Sequence, residues 1–132
     1  MATYFTADTH FGDGGAPGFY RRPLASVAEM DTAIATNWRA VVGEDDDVWH
    51  LGDFALGRRN AAAALLAMLP GRKHLIAGNN DPETPAAGWN NVQPYAELDV
   101  SGRHLAPCHY PFRTWRDSGR GAVNLNSQAM AA

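Results

Sequence analysis

Hydrophobic positions along the chain follow two different spacings. Residues 3–7, TYFTA, crowd β-branched and aromatic side chains into a short run that breaks at Asp8, the signature of a strand entering a loop. Residues 8–23 then hold glycines and prolines with little periodicity, and a loop of that length in a compact domain is more often functional than not. From Ser26 the spacing turns helical. Val27, Met30, Ile34, Trp38, Val41 and Val42 fall on one face, which is expected to be buried. Ser26 and Glu29 form a capping box, each placed to satisfy the other's backbone amide, and Gly43 is the expected C-terminal stop.

Residues 47–51, DVWHL, predict a second strand ending at Gly52-Asp53. Asn60 is placed to cap an alanine- and leucine-rich helix that stops before Pro70-Gly71. Residues 73–77, KHLIA, predict a third strand. Residues 92–100, a Ser101-Gly102 turn and residues 103–108 read as a hairpin, and residues 121–125 as a last strand. With no internal repeat, low-complexity run or linker, residues 1–132 read as one domain. The order strand, helix, strand, helix, strand, then further strands predicts an α/β layered fold whose first part contains parallel strands.

Composition narrows the classes. A chain of 132 residues suits a single core, and 45% hydrophobic with 19% charged residues is globular rather than disordered. No apolar stretch approaches a membrane span, and the N-terminus lacks a basic segment followed by an apolar one. Neither signal peptide, anchor nor membrane partner is therefore expected. The lone Cys108 excludes an internal disulfide and fits a reducing cytoplasm. The formal net charge of −3 argues against broad nucleic-acid binding. It leaves a phosphate-ester substrate open, because bound cations reverse the local field.

In such folds ligands gather beyond the carboxyl ends of the strands. The first strand delivers Asp8 and His10 in Asp-x-His spacing, the second delivers Asp53 after a glycine, the third Asn79, and the hairpin His109. Carboxylate, imidazole and amide oxygen at one edge suit a divalent cation of the manganese, iron or zinc kind. A shared carboxylate such as Asp53 could bridge two ions, which together activate a water and stabilise the attacking and leaving oxygens of a phosphoryl transfer. Within HLIAGNND, residues 74–81, Gly78 lets the backbone come close and Asn79 offers a neutral oxygen. Taken singly, Asp8 and Asp53 could be caps or turn residues, and His109 a hydrogen-bonded structural histidine.

DTH, LGDF, GNND and CHYP, in this order and spacing, resemble the calcineurin-like metallophosphoesterase family, from Thr3 to about Phe112. The resemblance implies a four-layer α/β/β/α sandwich, in full or shortened at its C-terminus, with a dinuclear centre on the loops between its sheets. It implies two divalent ions drawn from manganese, iron, zinc or nickel. Asp8 and His10 resemble ligands of the first metal, Asp53 the bridging carboxylate, and Asn79 and His109 ligands of the second. Family members hydrolyse phosphodiesters or phosphomonoesters with a water activated by the metals.

Two departures stand out. The family's third motif commonly reads Gly-Asn-His-Asp, its histidine acting as proton donor to the substrate. Here that position is Asn80, which can hydrogen-bond a phosphoryl oxygen but cannot supply a proton. The family's later Gly-His-x-His motif is also absent. Aligning VNL with the preceding strand puts Ser127 at the glycine and Gln128 and Met130 at the two histidines. Gln128 can offer a carbonyl oxygen to the second ion, whereas a thioether is a poor ligand for a hard ion. An alternative function is therefore a degenerate member that binds phosphate or a nucleotide, or serves as an interaction module. A third is an assembly role, in which a partner chain, a homo-oligomer included, covers an open sheet edge.

Other residues have plainer readings. His50 and His74 lie within apolar strands and are expected to be structural. Asp81 is expected to brace the Asn79-Asn80 loop by accepting backbone hydrogen bonds. Cys108 and His109 are neighbours on a strand and point to opposite faces, which argues against a cysteine–histidine nucleophile. Arg113, Trp115 and Arg116 could line a substrate cleft or form a solvated loop with one packed tryptophan. Arg58 and Arg59 are expected to be solvated at a helix start. The run Glu44-Asp45-Asp46-Asp47 lacks calcium-loop spacing and reads as a solvated turn.

Overall fold

A computed structural model of the chain describes residues 1–11, 26–55, 59–78, 81, 88–111, 115–116 and 118–126. Its strands are β1 (Thr3–Thr6), β2 (Asp47–His50), β3 (Arg72–Ile76), β4 (Asn91–Gln93), β5 (Leu98–Val100), β6 (Arg103–Pro107) and β7 (Val123–Leu125). Helix α1 (Val27–Val41) lies between β1 and β2, and α2 (Arg59–Met68) between β2 and β3. Strands β1 to β4 pair in parallel, in that order, as one sheet. A second sheet is mixed: β5 runs antiparallel to β6, and β6 parallel to β7.

Side-chain alternation along the parallel strands explains the layering. Val48 and Leu75 point to one face and pack with Ala35, Trp38 and Val42 of the α1 region and Leu66 and Leu69 of the α2 region. Trp49 and Ile76 point to the other and meet Leu98 and Leu125 of the second sheet, with Leu51 and Ala96. The described residues thus form an α/β arrangement of three layers: helices, parallel sheet, mixed sheet. The strands of the parallel sheet end side by side, with Thr6 in register with His50 and His50 with Leu75, so their following loops share one edge.

Several expectations needed correction. The Ser26 arm of the expected capping box is present, Ser26 Oγ accepting from the Glu29 amide at 3.2 Å, and the helix closes on Val42, whose amide donates to Trp38 O at 2.9 Å, directly before Gly43. Gly43 follows in a turn. Met30, Trp38 and Val42 are buried, yet Val41 is 58% exposed. It borders an apolar groove of about 270 Å³ lined also by Tyr4, Ile34 and Trp38, where the last turn of α1 overhangs β1, an edge strand of its sheet among the described residues. Asn60 lies inside α2 rather than capping it, because the helix already includes Arg59; Arg58 lies outside the described residues. Residues 92–100 are not one arm of a hairpin. Proline has no amide to donate to a ladder, and the chain breaks at Pro94, so that β4 joins the parallel sheet and only β5 pairs with β6. The turn itself is as read: Ser101 and Gly102 both have positive φ, 51° and 79°, which suits a two-residue hairpin loop.

Candidate metal centre

The loops leaving β1 and β2 run past the sheet edge as a pair. The Asp8 amide donates to Gly52 O (2.9 Å), His10 to Asp53 O (3.1 Å) and Phe11 to Phe54 O (2.9 Å). Within this zipped pair Asp8, His10 and Asp53 all have left-handed backbones, with φ of 54°, 51° and 56°. Non-glycine residues seldom adopt that region, and strain of this kind clusters at functional sites. The third loop is tied in by Asp81. Its Oδ2 accepts from the amides of Asp53 (2.5 Å) and Gly78 (2.8 Å), and its Oδ1 from that of Phe54 (3.0 Å). Asp81 therefore braces the neighbouring Asp53 loop as well as its own. The fourth contribution, His109, follows β6 of the other sheet.

These segments bring four of the predicted residues together. Asp53 Oδ2 lies 3.7 Å from both His10 Nε2 and His109 Nε2, and Asp8 Oδ1 lies 3.8 Å from His10 Nε2. Asp8, Asp53 and His109 each direct a ligand atom to a place where all three lie within 4.8 Å of one another. His10, Asp53 and His109 are buried and Asp8 is half-buried. His109 Nδ1 is 2.8 Å from Leu51 O, which can only accept, so Nδ1 carries a proton and a neutral ring presents its lone pair at Nε2, towards Asp53. Gly52 and Gly78 make room. A Cβ on Gly78 would sit 2.6 Å from Asp53 Oδ1 and 2.8 Å from His109 Nδ1, and one on Gly52 would sit 2.5 Å from the same nitrogen.

The donor set fits a divalent ion. Separations of 3.7–3.8 Å are long for hydrogen bonds. Ligands about 2.0–2.2 Å from a shared ion stand about 3–4 Å apart. Buried carboxylates also need positive charge nearby, and an imidazole oriented by a backbone carbonyl is the usual supporting arrangement of a metal-bound histidine.

Of the other predicted site residues, Asn79, Asn80, Arg113 and Gln128 lie outside the described residues, as does Met130. Arg116 is exposed, its guanidinium 3.8 Å from Glu97 Oε2. His74 is structural: its Nε2 is 2.9 Å from Asp47 Oδ1, and its ring stacks on Trp49. The acidic run is only half solvated, since Asp46 accepts from the Ala2 and Gly43 amides and Asp47 pairs with Arg72. His50 is fully buried below the loops, and burial pushes its imidazole down to about 3, with His10 and His109 adding in the same direction. Thr9 escaped sequence reasoning altogether, because a threonine between two candidate ligands carries no signal of its own.

Fold and site together define a mixed α/β protein with a carboxylate–imidazole cluster at the seam of two sheets. No protein-family model matches the chain. Over 86 residues it is 40% identical to the Gene 66 protein of Mycobacterium phage L5, covering 63% of this chain and 41% of that protein. Over 80 residues it is 38% identical to an uncharacterised protein of Methanocaldococcus jannaschii, covering 59% of this chain and 46% of that one. The matches thus span less than half the length of these relatives. Among solved structures, a protein of unknown function from Aquifex aeolicus superposes with a TM-score of 0.71 at 28% identity, over 92% of this chain and 69% of that one.

Proposed function

We propose that this protein is a metal-dependent phosphoesterase of the calcineurin-like kind, built as an α/β/β/α sandwich and acting in the cytoplasm on a phosphodiester or phosphomonoester. One observation carries the reading: Asp53 Oδ2 stands 3.7 Å from imidazoles delivered by two different sheets, with Asp8 alongside. Asp8, His10, Asp53 and His109 would hold the divalent ions, with Asn79 and Gln128 completing the set by their place in the motifs. Bound there, two ions would activate a water and neutralise charge on the phosphoryl oxygens.

The chain's own groups do the positioning. Leu51 O fixes the His109 ring with Nε2 inward, and Gly52 and Gly78 leave space that any side chain would fill. Asn80 offers an amide to a phosphoryl oxygen without a proton to give, and Arg113 and Arg116 offer cationic groups to the substrate. Among the described residues no helix is long and apolar enough to cross a membrane.

The test is elemental analysis of protein loaded with manganese and freed of excess ion, followed by assay on bis(p-nitrophenyl) phosphate. Two ions per chain are expected, with hydrolysis that Asp53→Asn abolishes while the circular dichroism spectrum is unchanged. Metal-dependent turnover surviving in Asp53→Asn would overturn the role given to that carboxylate. A second reading is motivated by Asn80, Gln128 and Met130 standing where the family motifs carry histidines. It is a phosphate-binding or interaction module, open to self-association, and one ion or none per chain without turnover would favour it.

A further inference from the structure

Below the candidate centre lies a buried polar relay whose hydrogen bonds allow only one arrangement of protons. The Gly52 amide donates to His50 Nδ1 at 3.1 Å, so that nitrogen must carry the lone pair. The ring proton then sits on Nε2, 3.0 Å from Thr9 Oγ1, and the Thr9 hydroxyl donates in turn to Phe54 O at 2.7 Å. Thr9 is 5% and His50 0% exposed, and the His50 ring is held edge-on by the rings of Phe54 and Trp89. The positions of the partners matter. Thr9 stands between Asp8 and His10, and Gly52 and Phe54 flank Asp53, so the relay holds a chain neighbour of every residue in the cluster with a left-handed backbone, and both neighbours of Asp53.

We propose that His50 and Thr9 are positioning residues of the metal centre: they hold the Asp8–His10 loop and the Asp53 loop at the spacing an ion requires. This rests on reading the Asp8, His10, Asp53 and His109 cluster as a metal centre. The relay's hydrogen bonds to the backbone go to neighbours of Asp53, the Gly52 amide and the Phe54 carbonyl, and Thr9 itself is a neighbour of Asp8 and His10. The relay's contribution is therefore to affinity, by removing the need for the loops to reorganise when the ion arrives.

The experiment is manganese titration of the full chain by calorimetry, with the thermal midpoint of the metal-free protein measured beside it. Thr9→Val keeps the shape and removes the hydroxyl; it should raise the manganese Kd about 10–100-fold, the usual cost of losing a group that supports metal ligands. Thr9→Ser, which restores the hydroxyl, should return the Kd to near the wild-type value. His50→Asn keeps an acceptor for Gly52 but falls short of Thr9, so it should weaken binding as Thr9→Val does and carries the test if the valine variant does not fold. Val48→Ala, a core change in β2, serves as the control for mere destabilisation: its midpoint should fall while its Kd stays put. Wild-type Kd in Thr9→Val or His50→Asn, or an equal loss of affinity in Val48→Ala, would overturn the positioning role. Failure of the wild-type chain to bind manganese would overturn the metal reading itself, and is recognised before any substitution is made.

Discussion

Asp47, at the first position of β2, accepts from Arg72 Nε at 2.9 Å and lies 2.9 Å from His74 Nε2, and chiefly the Arg72 hydrogen bond holds its carboxyl down to about 2. A folded-state value below the ordinary 3.8 means the pair stabilises the protein fully above pH 3.8. That contribution disappears as pH falls through about 2. The side chains are 20% and 42% exposed, so solvent screening trims the contribution to about 1–2 kcal/mol. Asp47→Asn should accordingly lower urea stability by about that amount at pH 7, and the gap to wild type should narrow by pH 2. An unchanged gap across that range would assign the stabilisation to packing. Nothing in the acidic run foretold this. Its partners lie 25 and 27 residues away, and long-range pairing leaves no trace in local spacing.

At the scale of elements, what was legible was what repeats. Helical spacing located α1, and alternation between strand-like and helix-like runs foretold parallel strands and hence a shared edge of loops. Which sheet a strand joins was not legible, since the short run containing β4 looks the same whichever neighbour it takes. The loops behave similarly. Their order in the chain pointed to Asp8, His10, Asp53 and His109, but not to the clamp that Asp81 makes across to the Asp53 loop. Asp81→Asn would leave an amide NH₂ facing backbone N–H donors on one side. It should cost about 1–3 kcal/mol and speed hydrogen exchange at the amides of Gly78, Asp53 and Phe54 together. Faster exchange at Gly78 alone would mean that Asp81 serves only its own loop.

For the whole molecule, the cluster sits where two sheets meet: Asp8, His10 and Asp53 follow strands of the parallel sheet, and His109 follows β6 of the mixed one. An ion held there would be a cross-link between layers that also meet through apolar contacts, such as Trp49 and Ile76 against Leu98 and Leu125, and through the His109–Leu51 hydrogen bond. Manganese at about a thousand times its Kd should add about 4 kcal/mol, raising the thermal midpoint by about 10 °C, and a chelator should reverse this. A midpoint indifferent to both would mean that the folded chain does not bind the ion in preference to the unfolded one, and would count against a metal centre at this seam.

The same seam bears on the life of the protein before it is folded. Asp8 and His109 are far apart in the sequence, and no stretch that stops at β6 contains the whole set. A chain emerging from the ribosome can offer a passing ion only scattered, solvated side chains, which hold it weakly. Under the proposed function, ion capture would follow the meeting of the two sheets, so the metal pool encountered by the finished protein, rather than by the nascent one, would decide which ion it carries.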